Sequence, residues 1–467
     1  MYKQSRIITR LQPHQEAALK RALVRNLILA HSTGSGKTLT SIAIADALGK
    51  PTTVFTPASL VENYKKELAK HKRGGPPVEV ISLPTAVSQN YQVPIGNTLI
   101  IDEAHSLRNA GTARQAYIKD QLDNAGRVFA LTGTPAYNNI TDWAPLVNIV
   151  AKERVLPEKP GDFREKYIRE QEIRPAWWQR ARYGVKPGVL ETLRNTADLK
   201  RRLQDYVDVF DADVEKPKRT DKVIHTWMTP EQLRMYRYLE KNLPPNLYAK
   251  LRYNLPPSKA EARQLNAFLS GVRQVSNTPE AFDTTSTTGE KIRVAVDNIK
   301  KAIRSKPGMR ALVYSNFLDS GVKSYAKLLD KEGIPYGLYT GELRPSQKKA
   351  PVDAYNAGKL PVLLASGAGS EGLDLKGTRL IQLLEPHWNE SRLDQVIGRG
   401  IRYKSHDELP PEERTVTVEH YISDVPPEKH LFYKKPVTSV DNYLTARARE
   451  KAELMDQVKA LFVQDNN

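Results

Sequence analysis

The sequence predicts an α/β protein of two parallel-sheet lobes with helical insertions and a C-terminal helix, and three observations carry that reading. Short apolar runs alternate with amphipathic stretches over residues 1–150, and the same alternation resumes over 290–435. In the first lobe each apolar run ends in a polar or glycine-rich turn: 26–30 before HSTGSGKT, 52–55 before TPASL, 98–101 before DEAH and 127–131 before TGTP. All four turns sit at the carboxyl end of a predicted strand, the edge of an open α/β sheet where ligands bind.

The remaining elements follow in chain order. Over 151–215 the alternation breaks, and charged stretches with Trp177, Trp178 and several prolines predict a mainly helical insertion. Residues 216–289 predict a strand around 223–228, a helical stretch over 229–277 and a flexible loop at SNTPEAFDTTSTTGEK. Strands of the second lobe are predicted at 309–314, 361–365, 379–384 and 415–422. The closing segment, 436–467, predicts one helix with Thr438 and Asp441 as a capping box and Leu444, Leu454, Val458 and Leu461 as its apolar stripe.

A chain of 467 residues is long enough for two or three domains that bury their own cores. Its 71 Lys and Arg against 53 Asp and Glu leave a formal charge of +18, the footprint expected of a partner for a phosphate backbone. The absence of Cys excludes disulfides, a cysteine zinc site and a thiol nucleophile. No apolar run approaches the roughly 20 residues that cross a bilayer, and the start MYKQSRIITRLQPHQ lacks a signal-peptide core. The expectation is a soluble intracellular protein of cytoplasm or nucleus with no membrane partner.

HSTGSGKT, at 31–38 between a strand and a helix, has the setting of a phosphate-binding loop. Its residues Thr33, Gly34, Ser35, Gly36, Lys37 and Thr38 form the candidate nucleotide cradle. Gly34 and Gly36 let successive amides point at phosphate oxygens, and the helix terminus adds partial positive charge. Lys37 then reaches the β- and γ-phosphates of ATP, and Thr38 ligates Mg²⁺. Asp102, ending a neighbouring strand, is the second metal-side ligand, with Glu103 as the base that polarises the attacking water and His105 as a coupling residue. In QVIGRGIR, Arg399 and Arg402 stand three apart, so one helix face can present both cations to developing phosphate charge.

HSTGSGKT, DEAH, LTGTP, SGAGSEGLDL and QVIGRGIR, in this order, resemble the motifs of superfamily 2 helicases, which implies two RecA-like lobes. Within that superfamily the chain is similar to the Swi/Snf group of double-stranded DNA translocases, including compact members carried by large DNA viruses. LQPHQ, PASLVENYKKEL, DEAHSLRN, LTGTPAYNN, MTPEQLRMY, HWNESRLDQVIGRGIRYKS and SVDNYLTARAREKAEL carry this likeness. The resemblance implies that Gln15 reads the adenine edge and that Gly372 and Asp374 approach the nucleotide from the second lobe. It implies coupling roles for Thr132, Thr134 and Gln395, and contacts from Thr56, Ser59, Ser315 and Ser366 to backbone phosphates. Trp388 matches an aromatic that is either packed or functional. The chain departs from the pattern at His31, where Ala or Gly is usual, at His14, where an aromatic is common, and at Asp374, where the Swi/Snf group often has Asn.

These features imply an ATP hydrolase that moves along DNA, duplex favoured and single strand possible, remodelling DNA or protein–DNA complexes. A strand-separating DNA or RNA helicase is the nearest rival, but separation needs a wedge such as a β-hairpin, and none stands out in the sequence. A binding adaptor with a structural nucleotide site would have lost one of the chemical groups, all of which are present. The insertions are the expected sites for protein partners.

Overall fold

The computed structural model describes residues 6–32, 34–109, 111–133, 140–210, 217–367, 373–387, 390–401, 405–429, 434–435 and 437–461. The chain divides into two compact units, the first made of Met1–Arg169, Thr192–Val214 and Glu453–Asn467, the second of Glu170–Glu191 and Glu215–Ala452. No helix among the described residues is long and apolar enough to cross a membrane.

The first unit is built on strands β1 (Leu27–His31), β2 (Thr52–Thr56), β3 (Val78–Ser82), β4 (Thr98–Ile101), β5 (Arg127–Thr132) and β6 (Val207–Phe210). All pair in parallel, in the order β6-β1-β5-β4-β2-β3. β1, β2 and β4 are buried along their whole length, as strands covered on both faces must be. Side-chain alternation sends Ile28, Leu99 and Ile101 into one core with Trp143 and Phe163, and Leu29 and Ile100 into another with Ala18, Ile42 and Phe129. Helix α1 (Pro13–Val24) opens with a proline, whose missing N–H is not needed at that position. Helix α2 (Lys37–Leu48) runs between Gly36 and Gly49, whose φ of 79° and 65° suit glycine.

The second unit includes α3 (Trp177–Tyr183) and a six-stranded sheet: β7 (Lys218–Trp227), β8 (Ala311–Ser315), β9 (Tyr336–Tyr339), β10 (Val362–Ser366), β11 (Leu380–Leu383) and β12 (Thr415–Asp424). It too is wholly parallel, ordered β7-β12-β11-β8-β10-β9. Its edge strand β7 is largely exposed and carries Lys218, Arg219, Asp221 and Lys222, charges that discourage further pairing. Helices α4 (Pro230–Lys241), α5 (Pro245–Arg252), α6 (Lys259–Phe268) and α7 (Ser270–Asn277) share one core with the start of the last helix through Tyr236, Leu247, Leu265, Val272, Tyr443 and Leu444.

Three expectations need correction. The 151–215 stretch is not mainly helical: three short helices alternate with Ile168–Ile173, Gly188–Leu193 and β6. The first two pair in a two-stranded sheet of their own, and the chain between them forms an excursion. Its strand IREQEI exposes four consecutive polar residues and so gives no apolar alternation to read. The loop after α7 is packed, with Thr278, Ser286 and Thr288 buried and the Gly289 amide donating to the Thr278 hydroxyl at 3.1 Å. The last helix, Val440–Ala460, is capped by Ser439, whose Oγ accepts from the Asn442 amide at 3.2 Å, and not by Thr438. Asp441 instead turns inward and accepts from Lys291 Nζ at 2.6 Å and the Ser423 amide at 2.9 Å.

Candidate active site

Strand β1 delivers the chain into the glycine loop, where Gly34 and Gly36 have φ of 86° and 79°, and α2 starts at Lys37. A parallel sheet with its loop and helix in this order aims amides and a helix terminus at one point. Lys37 Nζ folds back on the loop and donates to the carbonyls of His31 and Ser32 at 2.7 and 3.1 Å. The Ser35 hydroxyl is buried with no hydrogen-bond partner among the described residues, as a donor reserved for a bound oxyanion would be.

Gln15 lies against the glycine loop. It is buried, and its Nε2 donates to the carbonyls of Ser35 and Gly36 at 3.2 and 3.3 Å while Oε1 accepts from the Gln12 amide at 2.9 Å. A Cβ on Gly36 would lie 2.4 Å from that Nε2. His14 adds a second strut, its Nε2 donating to Ser35 O at 2.9 Å, which fixes that tautomer, and burial holds its pKa below the usual value. The His14 ring stacks on Phe210 with centroids 3.7 Å apart, and the fully buried His31 pairs with Asp208 through Nε2 at 2.7 Å. Asp208 also accepts from Arg21 of α1. Asp208 and Phe210 carry no signal in the sequence, because the edge strand that bears them is four residues long and interrupted by a charge.

Asp102 follows β4 and is held at both oxygens, by Thr56 Oγ1 at 3.0 Å and by the Glu103 amide at 3.0 Å. Burial, with the Glu103 charge adding to it, lifts the Asp102 carboxyl to about 6, against the pull of Thr56, the Glu103 amide and Lys37. A divalent cation would supply the missing positive charge. Asp102 and Thr38 offer hard oxygen donors, and no group of three or more His, Asp or Glu that could hold a metal occurs among the described residues. That donor set fits Mg²⁺, which takes few protein ligands and leaves the rest to phosphate and water. Glu103 sits at φ 49°, a left-handed conformation costly for a side chain, and its Oε2 lies 3.1 Å from His105 Nδ1.

The candidate phosphate contacts divide. Ser59 is exposed. Thr56 is buried and committed to Asp102, Ser315 is buried and donates to Glu385, and Ser366 is buried and accepts from the Gly341 amide at 3.3 Å. All three hydroxyls have hydrogen-bond partners within the fold. Glu385, which the sequence did not single out, also accepts from Asn277 and from the Asn316 amide, making it the hub of a buried polar cluster. Thr132 is buried at the end of β5, Asp374 is exposed, and Arg399 lies in the last turn of α8 (Glu390–Gly400). Thr33, Thr134, Gly372, Trp388, Arg402 and the side chain of Gln395 lie outside the described residues.

Two family patterns match the chain: the SNF2-related domain over residues 78–281 and the helicase conserved C-terminal domain over 291–404. The "Putative ATP-dependent RNA helicase L538" of Acanthamoeba polyphaga mimivirus is 33% identical over 456 residues, 94% of this chain and 93% of that protein. The "Termination factor NPH-I homolog" of African swine fever virus is 25% identical over 553 residues, 94% of this chain and 75% of that protein. Among solved structures, the Sulfolobus solfataricus SWI2/SNF2 ATPase core in complex with dsDNA aligns over 90% of this chain and 89% of that chain, at 18% identity and a TM-score of 0.38.

Proposed function

The chain belongs to the SNF2-related helicase family, a group of nucleic-acid-dependent ATPases, and from that premise we propose that it couples ATP hydrolysis to movement along duplex DNA. One observation carries the reading: the glycine loop and the Asp102–Glu103 pair stand at the carboxyl edge of one parallel sheet, over a chain that matches the SNF2-related pattern. In this assignment Lys37 binds the β- and γ-phosphates, and Ser35 adds a hydroxyl donor. Thr38 and Asp102 would hold Mg²⁺, which would supply positive charge to offset that of the phosphates. Glu103 takes the proton of the attacking water, and His105 beside it relays the state of the site. Arg399 and Arg402 balance charge on the transferred phosphoryl group. Gln15 and His14 brace the loop from behind.

Movement without strand separation predicts that the protein displaces a third strand from a DNA triplex only when ATP is hydrolysed. Glu103→Gln should keep ATP binding and lose displacement. A protein that hydrolyses ATP on duplex DNA yet leaves the triplex intact would remove translocation from the proposal. The name of the mimiviral relative favours a second reading, action on RNA. Under that reading RNA and not duplex DNA would stimulate hydrolysis.

A further inference from the structure

The excursion between Ile168–Ile173 and Gly188–Leu193 carries the sequence RPAWWQRARYGVK over residues 174–186. This stretch holds four cations, Arg174, Arg180, Arg182 and Lys186, and no carboxylate. Its neighbour Glu172 lies 3.6 Å from the exposed Arg174. Trp177, at the start of α3, leaves 74% of its surface in solvent. An isolated exposed apolar side chain is ordinary. A tryptophan on a helix packed from behind, within a stretch of sequence rich in cations, is a different object.

The rigidity comes from the opposite side of α3. Trp178 packs edge-on against Tyr253 with centroids 5.2 Å apart, and Tyr183 lies 6.2 and 6.4 Å from Tyr248 and Tyr253. Gln179 is buried and its Oε1 accepts from the Ala176 amide at 2.8 Å, which fixes the first turn. Beyond the helix, the Val189 amide donates to Pro257 O at 3.3 Å. Gly188 packs so closely that an added Cβ would meet Pro256 O at 2.2 Å. The side chain in solvent is thus mounted on a backed helix, which lowers the entropy lost when something stacks on it.

We propose that Trp177 and the neighbouring Arg174, Arg180 and Lys186 form a stacking site for an unpaired nucleobase, engaged where a duplex opens into a single strand. The indole face accepts any base, and the cations hold the phosphates on either side, so the site is indifferent to sequence. The proposal rests on the reading that the chain binds nucleic acid, and adds to it a preference for junctions over blunt duplex.

The test uses the full chain and two DNA probes of equal length, a blunt duplex and a fork with 2-aminopurine at the first unpaired position. Wild type should bind the fork about tenfold more tightly than the duplex, with a change in 2-aminopurine fluorescence. Trp177→Ala should bring the affinity ratio close to one and abolish the fluorescence change, whereas Trp177→Phe, which keeps a ring, should retain most of both. Circular dichroism and thermal unfolding establish that each variant is folded. An equal affinity of wild type for fork and duplex, or an unchanged ratio in Trp177→Ala, overturns the proposal, the second result marking α3 as a face for a protein partner. Failure of any nucleic acid to stimulate ATP hydrolysis by wild type would instead defeat the underlying reading.

Discussion

Gly36→Ala probes the join between α1 and the phosphate loop. Its φ of 79° costs a side chain about 1–2 kcal/mol, and its new Cβ would stand 2.4 Å from Gln15 Nε2. Gln15 is buried, so relief requires it to give up its bonds to Ser35 and Gly36, at about 0.5–1.5 kcal/mol each. Together these disfavour the loop conformation by roughly 2–5 kcal/mol, and if nucleotide binds only that conformation, affinity falls at least about 30-fold. Equilibrium titration with a fluorescent ATP analogue reads this directly. Gln15→Ala supplies the second half of a cycle: without the amide there is no collision, and Gly36→Ala should then cost only the backbone part, about 1–2 kcal/mol. Binding by Gly36→Ala within twofold of wild type, or an identical cost in both backgrounds, would refute the claim that Gln15 braces the loop.

Other consequences are as definite. Asp441→Ala strands the Lys291 ammonium, which is fully buried, and should destabilise the second unit by about 3–5 kcal/mol in urea unfolding, while the paired Lys291→Met, Asp441→Leu variant should recover most of that loss. Asp208→Ala removes the carboxylate that ties His31 to Arg21 across β1 and β6; at about 1.5 kcal/mol for a charged hydrogen bond, KM for ATP should rise about tenfold with kcat little changed. The Tyr167 hydroxyl, followed by Arg201, Lys166 and Arg202, holds the Asp198 carboxyl well below the usual range. The unfolded chain therefore takes up that proton first as pH falls. Its stabilising contribution is complete above about pH 4 and is lost below it, and Asp198→Asn should flatten the acid limb of a thermal unfolding profile.

The inner strands were legible because burial on both faces leaves a continuous apolar run, and the chemistry was legible because each run ends in its motif. β6 was hidden by Asp208, a charge in a four-residue strand that is tolerable because Arg21 pairs with it and His31 hydrogen-bonds to it. β3 and β9 are short and partly exposed, so neither gives a long apolar run. Thr56, Ser315 and Ser366 show a different limit. A hydroxyl at a strand end gives no sign in sequence of its buried partner, and Glu385, which accepts from Ser315, lies 70 residues away. The same distance effect concealed the Trp177 platform, whose backing by Tyr248 and Tyr253 comes from a separate helical stretch.

Whether duplex DNA drives this ATPase is read from steady-state ATP hydrolysis by the purified chain, measured with no nucleic acid, single-stranded DNA, duplex DNA and RNA in parallel. Duplex DNA should stimulate hydrolysis strongly, and the effect should fall steeply as salt rises because the contacts are to phosphates. Stimulation by RNA or single strands in place of duplex, or rates indifferent to all of them, would contradict the proposed function.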